Sequence, residues 1–194
     1  ISHDLRTPLT RLKLQTALIK EKDLSKKMKE NIEEMEKMLN DYLEFASSQI
    51  NVKSENFNLN NLIQNIIEKY PNNKIIFNEK IKIEITARYN AIKRCLTNLI
   101  DNGLTYGKVI EISLTKTINN IIIYIDDDGP GIATEEHANV FKPFYRIDKS
   151  RSQNKSGVGL GLSIANDIIK SHGGIIDLQN RTQKGLRVKV SLPS

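Results

Sequence analysis

The sequence predicts an α + α/β protein, with a helical hairpin over residues 1–52 followed by an α/β sandwich with a mixed sheet over residues 53–194. Two observations predict this fold class. Apolar side chains in the first 50 residues recur at alternating spacings of four and three, which is the seam of a helix that packs on another helix. Beyond them, strands come in pairs between amphipathic helices, a pattern that favours a mixed sheet over a Rossmann fold.

The hairpin carries one apolar seam in each helix, on either side of a polar break at 21–25. The first seam is Leu5, Leu9, Leu12, Thr16 and Ile19, and the second is Met28, Ile32, Met35, Leu39, Tyr42 and Ala46. One hairpin of this length buries little apolar surface by itself. We therefore expect a homodimer in which two hairpins form a four-helix bundle, and packing of the hairpin on the second module is the alternative.

The elements of the second module follow from the change between helical and strand periodicity. A connector at 51–57 runs into a strand, and Asn58 or Asn60 caps the helix that follows it. The segment "KIIFNEKIKIEIT" is strand material. The remaining predicted elements are a helix over 88–106, strands over 109–115 and 120–126, a helix over 160–172 and a hairpin of strands over 174–180 and 185–192. The polar, basic segment 142–158 predicts a mobile loop.

Composition excludes several classes of protein. No apolar run is long enough for a membrane span, and Cys95, the only cysteine, rules out a disulfide framework and suits a helix core. The net charge is +6, and the basic cluster between Lys142 and Lys155 fits a membrane surface or a polyphosphate ligand, whereas no nucleic-acid-binding signature accompanies it. Because the chain starts inside a helical pattern without a methionine, we expect the C-terminal part of a longer protein, in a reducing cytosolic setting and with any membrane anchor before residue 1.

His3 is the first candidate for chemistry. At about 100° per residue, His3 lies opposite the seam of the first helix, so we expect it to be exposed. Thr7 shares its face, and Pro8 should bend the helix below it. A neutral imidazole carries a nucleophilic nitrogen, the neighbouring Asp4 can take or orient its proton, and the hydroxyl of Thr7 can position a water. A lone exposed histidine would be an ordinary surface residue, but the string "SHDLRTP" favours a function.

That string resembles the H-box of sensor histidine kinases. In that family the histidine accepts the γ-phosphate of ATP and the acidic residue after it assists the transfer. The threonine four residues on helps to hydrolyse the phosphate from the partner regulator. The resemblance implies these catalytic roles for His3, Asp4 and Thr7.

The helix over 88–106 has a polar face of Arg94, Asn98, Asn102 and Tyr106, spaced four apart. Carboxamide oxygens can ligate Mg²⁺, although from the residues alone a solvated face is the alternative. The segment "NLIDNGLTYG" resembles the N-box of the same kinases. This implies Asn102 as the Mg²⁺ ligand, Asn98 nearby and Tyr106 against the adenine. Thr105 departs from the family, which often has Lys or Arg there.

Two glycine-rich segments complete a nucleotide site. In "DDDGPGI" at 126–132, the glycines permit close backbone approach and a carboxylate can accept a hydrogen bond from an exocyclic amine. The segment resembles the G1 box, which implies that Asp127 reads the adenine beside Gly129 and Gly131. In "GVGLGLS" at 157–163, amides at a helix start form an anion cradle. The segment resembles the G2 box, which implies nucleotide contacts from Gly157, Gly159, Gly161 and Leu162.

The segment "FKPFYR" at 141–146 resembles the F-box of the nucleotide lid. We expect Phe141 and Phe144 to be packing residues, and Arg146 either to reach phosphate or to be a solvated cation of the lid. The order of the boxes implies a Bergerat (gyrase/Hsp90/histidine kinase) ATP-binding sandwich over 53–194, and a dimerisation and phosphotransfer domain over 1–52. The implied ligands are ATP and Mg²⁺, and the implied partner is an OmpR-like response regulator receiver domain. A non-catalytic ATP-binding dimeric scaffold, toward which Thr105 leans, is the alternative.

Overall fold

Residues 2–19, 21–48, 53–71, 74–147 and 159–194 are described by a computed structural model, and within them the side chains of 2–7, 34, 37–38 and 41–48 are not. The chain divides into two units, Ile1–Val52 and Lys53–Ser194. None of the described helices is long and apolar enough to cross a bilayer.

The first unit is a pair of helices, α1 (Ser2–Thr16) and α2 (Lys22–Ser48), which pack on each other. The predicted position of the break is wrong, because α1 ends at Thr16 and the predicted break at 21–25 lies largely in the first turn of α2. The Ser25 hydroxyl donates to the Thr16 carbonyl oxygen over 2.7 Å. The second helix thus satisfies a carbonyl group that the end of the first helix leaves open.

The seam is only partly covered within one chain. Thr16 and Ile32 are 3% exposed, whereas Leu12 and Met35 are each 41% exposed and Met28 is 36% exposed. The seam residues Leu5, Tyr42 and Ala46 lie outside the described side chains. Apolar side chains at regular seam positions therefore remain open to solvent in the isolated chain.

The described residues of the second unit form a five-stranded mixed sheet, a two-stranded sheet and three α-helices. Its elements are β1 (Glu55–Asn58), α3 (Leu59–Ile67), β2 (Ile75–Asn78), β3 (Glu84–Ala87), α4 (Tyr89–Tyr106), β4 (Ile110–Lys116), β5 (Asn120–Asp127), α5 (Gly161–Lys170), β6 (Ile175–Asn180) and β7 (Leu186–Pro193). The sheet order is β2-β4-β5-β7-β6, in which β2 and β4 are parallel and the other pairs are antiparallel. Short 3₁₀ turns at Thr134–Glu136 and Asn139–Phe141 follow β5, and the sequence did not predict them.

The predicted strand material at 74–86 belongs to two different sheets. β2 pairs with β4, whereas β3 pairs with β1 in a separate two-stranded sheet. Asn60, which is 1% exposed, fixes the bend between them, since its side chain donates to the Ile81 oxygen over 2.8 Å and accepts from the Ile83 amide over 3.0 Å. Asn58 caps α3 by accepting from the amide of Asn61. Of the two candidate caps, Asn58 therefore has this role and Asn60 holds the loop.

The core lies between the sheet and the helices that pack on it. The apolar stripe of α4 is buried, and α4 packs on α5, α3 and β5. Cys95 belongs to this stripe and is 1% exposed, which confirms its predicted core position. Burial raises the pKa of its thiol, so Cys95 is held in the neutral form. This packing places the polar face of α4 beside the ends of β5 and α5.

Candidate nucleotide-binding site

Three consecutive aspartates at the end of β5 have three different environments. Asp126 forms two hydrogen bonds with the guanidinium of Arg187, over 2.8 and 2.6 Å. Asp128 accepts from the main-chain amides of Val109 and Lys108, and these bonds hold its pKa below the ordinary value. Both carboxylates thus have structural partners on neighbouring segments.

Asp127 is the aspartate that the glycine-rich loop surrounds. It is 6% exposed, and its Oδ1 atom accepts from the amides of Gly129 over 2.7 Å and Leu186 over 3.2 Å. Burial raises the pKa of this carboxyl group, and the two amide bonds oppose that shift. Both bonds described for the side chain end on Oδ1, so the carboxyl group is held in place through one oxygen.

Close backbone contacts bring the C-terminal end of α4 against this loop. A Cβ atom on Gly129 would lie 2.8 Å from Asp127 Oδ1 and 3.2 Å from the main chain of Tyr106. A Cβ atom on Gly103 would lie 2.9 Å from the Ile110 side chain. Tyr106 is therefore beside the Asp127–Gly129 turn, and its side chain is 49% exposed.

The middle of α4 faces the start of α5. A Cβ atom on Gly161 would lie 3.9 Å from Cβ of Asn98. The Nδ2 atom of Asn98 is buried and has no hydrogen-bond partner among the described residues. A buried amide donor without a partner is costly, so this atom suits a ligand that supplies an acceptor. Asn102 lies one turn further along α4 and is half-buried.

The residues fit Mg²⁺ bound together with phosphates. No group of three His, Cys, Asp or Glu side chains able to hold a metal ion occurs among the described residues. A dedicated protein cage is thus absent from that part of the chain. Mg²⁺ at nucleotide sites takes one or two protein oxygens and completes its shell with phosphate and water, which the carboxamide oxygen of Asn102 allows.

The lid segment contacts the glycine-rich segment before α5. The Phe144 amide donates to the Gly159 oxygen over 3.0 Å, and Gly159 has φ +78° with no room for a side chain. Phe141 is half-buried, but Phe144 is 64% exposed with φ 62°, so the expectation that Phe144 packs is wrong. Its backbone rather than its ring makes the contact. Arg146 is half-buried, and Gly157 lies outside the described residues.

Sequence reasoning missed residues at the end of β6 and in the turn that follows it. Asn180 makes two hydrogen bonds to the main chain of Ile132, and Arg181 Nη1 donates to the Asp127 carbonyl oxygen over 3.2 Å. An open pocket of about 410 Å³ lies between this turn and the 130–133 segment. Gly131 is the predicted site residue that lines it, so this pocket lies on the hairpin side of the loop. Contacts across 48 residues leave no local sequence signal.

The H-box residues belong to α1. The side chains of His3, Asp4 and Thr7 are not among those that the structure describes. Leu162 follows Gly161 in the first turn of α5. The structure thus brings together Asn98, Gly161, Tyr106, Asp127 and Gly129 within the second unit.

Comparisons with known proteins agree with this arrangement. Residues 87–194 match the family described as histidine kinase-, DNA gyrase B-, and HSP90-like ATPase, and residues 1–50 match the His Kinase A (phospho-acceptor) domain. The sensor histidine kinase GtrS of Pseudomonas aeruginosa is 36% identical over all of this chain, which spans 40% of GtrS.

Two solved structures share the fold. The crystal structure of full-length ShkA in complex with AMPPNP has a TM-score of 0.79 over 99% of this chain and 44% of ShkA, at 19% identity. The histidine kinase domain of the E. coli osmosensor EnvZ is 30% identical, with a TM-score of 0.55 over 75% of this chain and 91% of that domain. The predicted fold class and the predicted resemblance are confirmed, and the chain belongs to the sensor histidine kinase family, with a phospho-acceptor domain followed by a histidine kinase-, gyrase B- and HSP90-like ATPase domain.

Proposed function

We propose that this chain is the catalytic core of a dimeric sensor histidine kinase. It transfers the γ-phosphoryl group of ATP to His3, and from His3 to an aspartate of an OmpR-like response regulator. The family supports the reaction class, and the site in the second unit supports the nucleotide. The observation that carries the proposal is that two buried polar groups lie beside α4. The carboxylate of Asp127, an acceptor, belongs to the turn beside Tyr106, and the Asn98 Nδ2 donor has no hydrogen-bond partner among the described residues.

The middle and the C-terminal end of α4 suit the two ends of a nucleoside triphosphate. Asp127 and Gly129 lie beside Tyr106, and Asn98 lies beside Gly161. At 1.5 Å per residue, the eight residues from Asn98 to Tyr106 span about 12 Å, which is the scale of an extended ATP. Asp127 then accepts from the adenine amine, the ring of Tyr106 packs on the base, and Asn98 donates to phosphate. The AMPPNP complex of ShkA supports an adenine nucleotide on this fold.

The α5 end of the site would hold the phosphates. Gly159 and Gly161 present backbone without side chains there, and Leu162, Gly157 and Arg146 complete the segment that we assign to the triphosphate. Asn102 would hold Mg²⁺ through its carboxamide oxygen, and the ion, when bound, neutralises charge on the phosphates. Gly131 allows the loop after Asp127 to turn.

The transfer itself needs an imidazole nitrogen in line with the γ-phosphorus. That nitrogen of His3 forms the N–P bond while the bond from phosphorus to the β–γ bridging oxygen breaks, and ADP leaves with the electron pair. Asp4 orients the ring and takes its proton. Positioning supplies much of the rate, because the protein converts a bimolecular reaction into an intramolecular one. A carboxylate oxygen of the regulator then attacks the same phosphorus and releases the His3 nitrogen.

Incubation of the whole chain with γ-labelled ATP tests the assignment. Wild type should retain label on protein, and His3→Gln should retain none while binding ATP with unchanged affinity. The binding titration is the control that separates a lost acceptor from a lost nucleotide site. Label on the His3→Gln chain would refute the role of His3.

Thr7 is proposed to position the water that hydrolyses the phosphorylated regulator. Thr7→Ala should self-phosphorylate at the wild-type rate and lose most of its ability to dephosphorylate the regulator. Thr7→Ser, which keeps the hydroxyl, is the matched control. Equal dephosphorylation by all three chains would contradict this role.

The dimer is proposed to form through the hairpin seam. Met35 is 41% exposed on the seam, and Leu14 is 69% exposed away from it. Met35→Glu should therefore halve the mass measured by sedimentation equilibrium, whereas Leu14→Glu should not. A wild-type monomer at all concentrations would contradict the proposed dimer.

A non-catalytic ATP-binding scaffold is the second candidate, and Thr105 favours it. The Thr105 hydroxyl donates to the Asp101 carbonyl oxygen over 2.7 Å, so it is used within α4. The family often has a cation at this position. Absence of label on a wild-type chain that binds ATP would favour the scaffold.

A further inference from the structure

We infer that Asn180 is a positioning residue for the adenine end of the nucleotide site. The inference rests on the proposed function, because it concerns how the loop after Asp127 is held. Asn180 is the last residue of β6 and contacts that loop at Ile132. None of the sequence motifs includes it.

The side chain of Asn180 forms hydrogen bonds with both main-chain groups of one loop residue, Ile132. Its Oδ1 atom accepts from the Ile132 amide over 2.9 Å, and its Nδ2 atom donates to the Ile132 carbonyl oxygen over 2.6 Å. This two-point contact orients the Ile132 backbone as well as binding it, because both hydrogen bonds have to be satisfied together. It is a tertiary substitute for strand pairing.

At this end Nε2 of His137 also lies 3.1 Å from the Ile132 carbonyl oxygen, so Asn180 shares the carbonyl group with His137 and holds the amide. Residues 128–133 contain no helix or strand, and Pro130 lacks an amide donor. Gly131, at φ +77°, is required for the contact with Asn180, since a Cβ atom there would lie 2.7 Å from Asn180 Oδ1. We expected Gly131 to be needed for nucleotide recognition. It also leaves the space that lets the Asn180 side chain reach the loop.

The same turn holds the other end of the loop at Asp127. Arg181 donates to the Asp127 carbonyl oxygen, and the Leu186 amide donates to its carboxylate. The β6–β7 turn therefore holds the first residue of the loop through Arg181 and Leu186 and holds Ile132 through Asn180. Loosening at Ile132 frees the intervening glycines and lets the Asp127 carboxylate lose its alignment with the base.

The test compares ATP with inosine triphosphate on the whole chain. Inosine triphosphate has an oxygen in place of the 6-amino group, so the ratio of the two affinities reports how well Asp127 meets that group. Asn180→Ala should lower the preference for ATP by about fivefold, or about 1 kcal/mol, with a smaller change for inosine triphosphate. Thr182→Ala, in the same turn and exposed, is the matched control and should keep the wild-type ratio.

The possible outcomes separate this inference from the proposed function. If Asn180→Ala were destabilised but kept the Asp127 carboxylate aligned, it would bind both nucleotides less well by the same factor. An unchanged ratio of the ATP and inosine triphosphate affinities in folded Asn180→Ala would therefore overturn the inference. A wild-type chain with no preference for ATP would instead refute the adenine role of Asp127. A lower ratio in Asn180→Ala but not in Thr182→Ala supports the positioning role.

Discussion

Replacing Asp127 by asparagine isolates the one atom that the proposed site uses to read adenine. Asparagine has almost the same shape as aspartate, and its oxygen can still accept from the amides of Gly129 and Leu186. Its NH₂ group then stands where the second carboxylate oxygen was, and an NH₂ group cannot accept from the adenine amine. The loop contacts are thus retained while the proposed contact with the base is removed.

The size of the effect follows from the kind of bond that is lost. A hydrogen bond to a charged group contributes about 1.5–3 kcal/mol, and every 1.4 kcal/mol is a factor of ten in affinity. We therefore expect Asp127→Asn to bind ATP about 10- to 100-fold more weakly than wild type. Affinity for inorganic triphosphate, which lacks the base, should be unchanged.

The same substitution should not destabilise the fold at neutral pH. Burial raises the pKa of Asp127, so the ionised carboxylate destabilises the folded chain relative to the unfolded chain, and this cost is fully present once the pH exceeds the raised pKa. Asparagine avoids this ionisation. We expect Tm at pH 7 to be at least as high as in wild type, with any gain disappearing as the pH falls and the wild-type carboxyl group takes up its proton.

Isothermal titration of ATP into the folded chain provides the measurement, and Asp126→Asn is the matched control. Asp126 is adjacent in sequence and equally buried, but its carboxylate is paired with Arg187. Asp126→Asn should lose stability and keep ATP affinity. Unchanged affinity in Asp127→Asn, or an equal loss in both variants, would refute the assignment of Asp127.

Three further predictions concern the loop, the turn before β4 and the metal. Gly185→Ala should lower the free energy of unfolding in urea by at least about 2 kcal/mol. The reason is that Gly185 has φ +104° and that a Cβ atom there would overlap the Asp127 carbonyl oxygen. A loss below about 0.5 kcal/mol would contradict this packing. Asp128→Ala should lower stability at pH 7 by about 1 kcal/mol, and the difference should shrink as the pH falls through the lowered pKa of Asp128, since the amide bonds stabilise the ionised carboxylate more than the neutral carboxyl group; a difference that does not change with pH would argue against it. Asn102→Ala should weaken ATP binding about tenfold with Mg²⁺ and less than about twofold with chelator; an equal loss in chelator would show that Asn102 does not act through the ion.

Much of the candidate site could be predicted because its motifs are local. A glycine-rich turn after a strand, an amide-bearing face on a helix and a histidine off an apolar seam are each readable within a few residues of sequence. The apolar stripe of α4, with Cys95 in it, was predicted correctly for the same reason, since helical spacing alone determines which side chains share a face. The exposure of Phe144 was not, because its backbone hydrogen bond with Gly159 joins segments 15 residues apart and leaves no local sequence signal.

The sequence by itself determined which stretches are helix or strand, which side chains are candidates for the chemistry and which family the chain resembles. The tertiary structure alone decided that β2 and β3 enter different sheets, that α1 ends at Thr16, and that the turn after β6 supports the loop after β5. The physical reason is range. Periodicity and backbone preference act between residues a few positions apart, whereas the contacts of Asn60, Ser25 and Asn180 join segments that only folding brings together.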